Sequence, residues 1–472
     1  TVGACRAPVK TAEMSGGGAG TSRSSDTIGM LVAGAWAPAN PFRAGHGPVP
    51  RFISMLVRLK ATYARFPKTF WLLIGSLFID STGGALLYPY LSLYLTQRFG
   101  IGMTQVGIIF LIFSLSGLLG SFISGSLTDR RGRKLTLLIG LVASALTALG
   151  LGLLSDLRWI YPASVVVGLM SNFGGPAYQA IIADVVDEAD RTEAYGILRV
   201  MANLAYVIGP AVGGFLAGVS FIWIFATDAV ASTITAVLVA VLLPETKGLA
   251  QAQAARRQEA LPLTGGGYRQ IFRDNVFLAF TLLLTLVWIV AMQLETALPV
   301  FMRDARGFPP QAFGLLLSIN GAMVVVLQMS ISRWTARQAP FNVLLLGALL
   351  YGLGFGLVGF VEPYPLLILA IAITTMGEIV VSPVAQALVA RLAPPEMRGR
   401  YGAVFQLSSL AASAVGPLAA GAVMDHFPPV WVWIGCALLA LVAALGFGTL
   451  QLKTRLAPEQ GQALPASPEG LL

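Results

Sequence analysis

Two side-chain chemistries on which most catalytic and metal sites depend are nearly missing from this sequence. Its 472 residues include two histidines, His46 and His426, and two cysteines, Cys5 and Cys436. These cannot assemble a Cys-x-x-Cys or His-based ligand set, and they give no disulfide framework. No nucleophile–base pair of a membrane enzyme stands out, and a phosphate-binding loop ending in Lys-Ser or Lys-Thr is missing, since TGGGYRQ (Thr264 to Gln270) does not supply one. An enzyme and a nucleotide-driven pump are thereby disfavoured, and no cofactor or metal is called for. Charge is scarce too: Asp, Glu, Lys and Arg make up 11% of the chain, where soluble domains carry about 25%.

What fills the space is apolar. Hydrophobic residues reach 56% and the mean hydropathy is +0.75, values of an integral membrane protein. Predominantly apolar runs long enough to cross hydrocarbon recur twelve times, at roughly 70–96, 104–126, 135–155, 158–182, 194–219, 221–243, 276–302, 312–333, 341–361, 365–389, 401–424 and 429–451. Helices are the expected form, because a stretch such as LLIGLVASALTALGLGLL (Leu137 to Leu154) shows none of the polar–apolar alternation of a membrane barrel strand. The formal charge of +9 has the sign of a nucleic-acid binder, but its placement argues otherwise. Arg51, Arg58, Lys60, Arg65 and Lys68 flank the first span, and every second connection thereafter is basic, whereas the alternate connections hold only Arg98, Arg158, Arg303 and Arg306. The positive-inside rule then puts both termini and the basic loops in the cytoplasm of a cell whose plasma membrane the chain spans.

Residues 1–54, rich in Gly, Ser, Ala and Pro, read as a disordered or non-native extension with Met55 as a candidate start. A six-span bundle over 65–243, a polar cytoplasmic linker over 244–275, a second bundle over 276–451 and a cytoplasmic tail over 452–472 follow. The halves repeat. Gly100, Gly107, Gln179, Arg191, Gly209 and Pro210 recur 207 positions later as Gly307, Gly314, Gln386, Arg398, Gly416 and Pro417. Parallel repeats of this kind mark transporters whose ligand site lies between the bundles near mid-membrane.

The ten residues GSLTDRRGRK, Gly125 to Lys134, concentrate charge between spans two and three. Gly125 permits close helix contact, Gly132 a tight reversal, and Asp129 is the one acid among cations. A solvated charged turn is the plain alternative. The whole pattern, Gly125, Leu127, Asp129, Arg130, Gly132, Arg133 and Lys134, resembles the signature of the major facilitator superfamily, and the resemblance runs over about residues 65–455. It implies an all-α fold of twelve transmembrane helices in two pseudo-symmetric six-helix bundles. It also implies that the motif is a cytoplasmic latch: Asp129 would meet the N-terminal end of helix eleven, where an anion suits the positive dipole end, with Arg398 and Arg400 as partners and Asp184 coupled to the same latch. GPAVGG in span five, with Gly209, Pro210, Gly213 and Gly214, is open to a reading as close helix packing; it also resembles the helix-five motif of drug:proton antiporters in that superfamily, as Asp80, Gly83 and Pro89 resemble a pattern of the same branch.

Ionisable residues within the spans are few, and each costs roughly 3 kcal/mol at a helix centre unless it meets a cavity or a partner. They are Asp80, Asp228, Glu295 and Glu378, with Asp184 near the inner end of span four and Arg199 beside Asn203 and Tyr206 on one face of span five. Low dielectric penalises an ionised carboxyl, and a cavity with more acids than bases prefers a cation. The runs around Asp184, Glu295 and Glu378 look like those of secondary multidrug exporters, so the resemblance implies exchange of protons for bulky amphipathic or cationic small molecules by a monomer in the lipid bilayer. A sugar or other metabolite symporter or uniporter of the same fold is the alternative, since PETKG after span six (Pro244 to Gly248) is similar to a sugar-porter run. A purely structural or receptor role for the bundle is a further, physically possible reading.

Overall fold

The computed structural model describes residues 62–246 and 268–456, so most of the extension, the linker and the tail fall outside the described residues. The chain forms two compact units, Thr1–Arg65, in which residues 62–65 are helical, and Phe66–Leu472. The second unit holds twelve membrane-spanning segments, and no strand occurs among the described residues. They are α1 (Lys68–Phe99), α2 (Met103–Arg131), α3 (Arg133–Leu153), α4 (Leu157–Val185), α5 (Arg191–Val219) and α6 (Phe221–Leu242), then α7 (Asn275–Asp304), α8 (Pro310–Thr335), α9 (Pro340–Val358), α10 (Tyr364–Leu392), α11 (Arg398–His426) and α12 (Val430–Leu456).

Each half packs by the same scheme. In the first, α1 lies against α5 and α6, α2 against α4, and α3 against α6; in the second, α7 lies against α11 and α12, α8 against α10, and α9 against α12. Two further seams, α2 with α11 and α5 with α8, join the halves and exchange under the same pseudo-symmetry. Lipid is as apolar as leucine, so such a bundle is held by close packing and interhelical hydrogen bonds, not by escape from water. The interior accordingly carries interlocked rings, such as Trp433 against Phe301 and Phe355, while Leu153, Phe215, Val241 and Leu282 point outward. A soluble protein would not expose so many large apolar side chains.

The helices run past the predicted spans at their basic ends: α2 reaches Arg131 instead of 126 and α10 reaches Leu392 instead of 389. Hydropathy marks the hydrocarbon boundary, whereas a helix continues into the headgroup region until a glycine or proline stops it, here Gly132 with φ 114° after α2. Three spans are also broken. Pro89 opens a 3-10 turn, Tyr88–Tyr90, within α1; α4 breaks between Ser171 and Gly175; α7 breaks between Met292 and Ala297.

Candidate functional site

Between the halves lies a cavity of about 1150 Å³. Asp80, Ser81 and Tyr88 of α1, Ser144 of α3, Tyr206 of α5 and Asp228 of α6 form its deep wall, and Gln406, Ser409 and Ser413 of α11 face them. Its lining continues past Phe122 of α2 to Tyr268, so the mouth lies on the side of the basic loops. No Lys, Arg or His is among the lining residues.

The predicted acids divide into two groups. Asp80 and Asp228 line the cavity; Ser232 donates to Asp80 Oδ1 at 3.0 Å, and Gly83 leaves room for the Asp228 carboxylate, since a Cβ there would stand 2.5 Å from Oδ1. Glu295 projects from the break in α7 and accepts a hydrogen bond from Tyr206, which places it one side chain behind the cavity wall. Glu378 of α10 is deeper in the second half, where Asn320 of α8 donates to it at 3.1 Å and to Thr375 Oγ1 at 2.8 Å. Of the span-five face only Tyr206 reaches the cavity. Arg199 is exposed and donates to Gln386 Oε1 at 3.2 Å, and Asn203 makes no hydrogen bond among the described residues. Asn320 was not anticipated; the signal was there, an amide in the apolar middle of span eight, and a buried amide needs a partner.

The end away from the basic loops is shut, and the repeat explains how. Gly107 of α2 packs on the Pro417–Leu418 backbone, an added Cβ lying 2.9 Å from Pro417 O; its repeat partner Gly314 of α8 packs on Pro210 and Gly214 of α5, an added Cβ lying 3.2 Å from Gly214 Cα. The residues matched by the 207-residue repeat therefore meet crosswise, each glycine against the other half's proline. Tyr90 Oη donates to Pro210 O at 2.6 Å on one seam. On the other, the exposed Asp425 at the end of α11 accepts from the Met103 and Thr104 amides, both at 2.8 Å, and so caps α2. Gly209, Pro210, Gly213 and Gly214 thus sit in this seal, with added Cβ atoms at Gly209 and Gly213 meeting Ala85 and Leu86 of α1.

At the basic end the ten-residue motif ties one half together. Arg133 pairs with the buried Asp184 at 3.1 Å, Thr246 donates to the same oxygen at 2.9 Å, and Lys134 Nζ donates to Ala240 O at 2.7 Å. Glu245 accepts from the Arg133 and Lys134 amides at 3.0 and 3.2 Å, capping α3 beside Gly132. Asp129 is exposed and has no partner among the described residues, so the expected contact with α11 is not made in this conformation, in which the basic end is open; Gly125 has open space around it.

The profile of the Major Facilitator Superfamily matches residues 73–381 and again 296–469. The chain belongs to that superfamily. It is 26% identical over 389 residues to a Na(+), Li(+), K(+)/H(+) antiporter of Planococcus maritimus, covering 77% of this chain and 89% of that one. It is 25% identical over 404 residues to the multidrug resistance protein MdtH of Escherichia coli (strain SMS-3-5 / SECEC), covering 84% and 97%. Among solved structures, the nucleoside transporter NupG superposes with a TM-score of 0.70 at 16% identity over 82% of this chain and 99% of that one. A POT family transporter in complex with 5-aminolevulinic acid gives 0.69 at 17%, over 83% and 97%. As a major facilitator chain it is a multi-pass membrane transporter and not an enzyme.

Proposed function

We propose that this transporter exports amphipathic, cationic compounds in exchange for protons, with both termini and the basic loops in the cytoplasm and the two bundles rocking about the cavity. The observation that carries the reading is the cavity itself: sealed at one end, open at the basic end, lined by two carboxyls and by the rings of Tyr88, Phe113, Phe122, Tyr206 and Tyr268, with no basic side chain. Rings and carboxyls together suit a lipophilic cation, through stacking, cation–π attraction and charge. Glu295 and Glu378, hydrogen-bonded by Tyr206 and Asn320, are the carboxyl groups behind that wall that would take up and release the coupled proton. The names of the relatives, an antiporter and a multidrug resistance protein, point the same way. A sugar or other metabolite carrier of the same fold remains the second reading; Glu245 of its PETKG run caps α3.

The test is uptake of a lipophilic cationic dye by proteoliposomes. Transport should require a proton gradient of the antiport sense, collapse with an uncoupler and be lost in Glu378→Gln. Uphill transport that survives both treatments would overturn the reading.

A further inference from the structure

We propose that Asp80, Asp228, Ser144 and Ser232 hold an alkali-metal cation of the sodium type in the wall of the first bundle. Asp228 is 5% exposed, lines the cavity and accepts no hydrogen bond from any described residue. A buried carboxylate without a donor is a costly arrangement that a bound cation relieves. Beside it, Ser232 Oγ donates to Asp80 Oδ1 at 3.0 Å and lies 3.3 Å from Ser144 Oγ, so oxygens from α1, α3 and α6 converge. Two more buried hydroxyls on the neighbouring helices lack partners: Ser76, 1% exposed and one turn before Asp80 on α1, and Tyr178 of α4.

All of these ligands are oxygens, which selects a hard cation over a transition metal. No third His, Cys, Asp or Glu joins these two carboxyls among the described residues, and with one carboxyl protonated the single remaining negative charge matches a monovalent ion. The titratable groups facing this nest are Asp80, Asp228 and Tyr178, with Tyr88, Tyr206 and Tyr268 along the cavity and no base lining it. A cation that enters while one carboxyl is protonated takes the place of that proton: the O–H bond breaks, the proton leaves to water and the carboxylate oxygen binds the ion. Cation and proton thus compete for the same oxygens. The inference rests on the proposed transport role only in treating the cavity as the route of access.

The experiment follows proton release from the full-length protein in weakly buffered detergent solution with a pH-indicating dye, titrating NaCl, LiCl or KCl against choline chloride at equal ionic strength. Release should saturate with sodium and be absent with choline. Asp228→Asn should abolish it, Ser144→Ala should raise the half-saturating concentration roughly tenfold, and Glu396→Gln, on a basic-side loop, should leave it unchanged. No saturable release, or release produced by tetraphenylphosphonium alone, overturns the site. Should Asp228→Asn fail to fold, an unchanged half-saturation in Ser144→Ala overturns it equally. Proton-driven dye transport without any alkali response would sink this site alone; an alkali response without dye transport would sink the choice of cargo and leave the site standing.

Discussion

Asp425 gives the most direct handle on the conformational equilibrium. Its carboxylate accepts from two free amides at the start of α2, 2.8 Å each, across the α2–α11 seam. Hydrogen bonds to a charged group contribute about 1.5–3 kcal/mol each, but this carboxylate is exposed, and solvent screening reduces the pair to about 1–2 kcal/mol together. The contact exists only while that end is shut, so removing it destabilises the shut state and leaves the alternative untouched. Asp425→Asn should therefore shift the ratio of the two states by about five- to thirtyfold toward opening at that end. Nitroxide labels on Arg98→Cys and Phe427→Cys, in a background with Cys5 and Cys436 replaced, would read the change as a growing long-distance population in pulsed electron resonance. Identical distance distributions with and without the substitution would refute the reasoning.

Asp129 should behave oppositely. It has no partner among the described residues in this conformation, so Asp129→Asn costs nothing here and removes the expected latch contact of the other state; the same label pair should report a larger shut fraction. Gly107→Val pushes a side chain into the Pro417–Leu418 backbone and should hold that end open, abolishing transport while protein level in the membrane is preserved. Glu245→Ala uncaps α3 and should cost about 1 kcal/mol, seen as a shorter half-life at elevated temperature in detergent with the dye affinity unchanged. Asn320→Leu leaves Glu378 without its donor and should impair proton-driven transport nearly as severely as Glu378→Gln, whereas Asn203→Leu, whose amide bonds to nothing described, should be mild.

Much of this architecture is readable from the chain because two of its causes act locally. Hydrocarbon thickness dictates the length of each apolar run, and the repeat announces itself in glycines and prolines that tolerate few replacements. The crosswise meeting of Gly107 with Pro417 and of Gly314 with Pro210 was not in the repeat itself, which dictates only that one contact has the other as its counterpart. The breaks in α4 and α7 fall on local signals that a reading by span hydropathy passes over: Gly174, Gly175 and Pro176 in the first, and the polar Gln293, Glu295 and Thr296 in the second. Asp425 was hidden for a different reason: an acid at the end of a span reads as a solvated terminus until the amides of α2 are known to lie opposite. The acids within the spans were legible as a set, yet their division into a cavity pair and a deeper pair depends on which side chain stands in front, and Tyr206 decides that for Glu295.

The two seams that shut the molecule share glycine pressed on backbone but differ in their polar contacts. One carries an ionised carboxylate over a helix end, the other a tyrosine hydroxyl on a peptide oxygen. Dissolved salt weakens the first and is nearly invisible to the second. Raising the ionic strength on that face should therefore loosen the closure lopsidedly, like a double door with a magnet on one leaf and a dry latch on the other, so the environment beyond the membrane helps set how often the carrier resets.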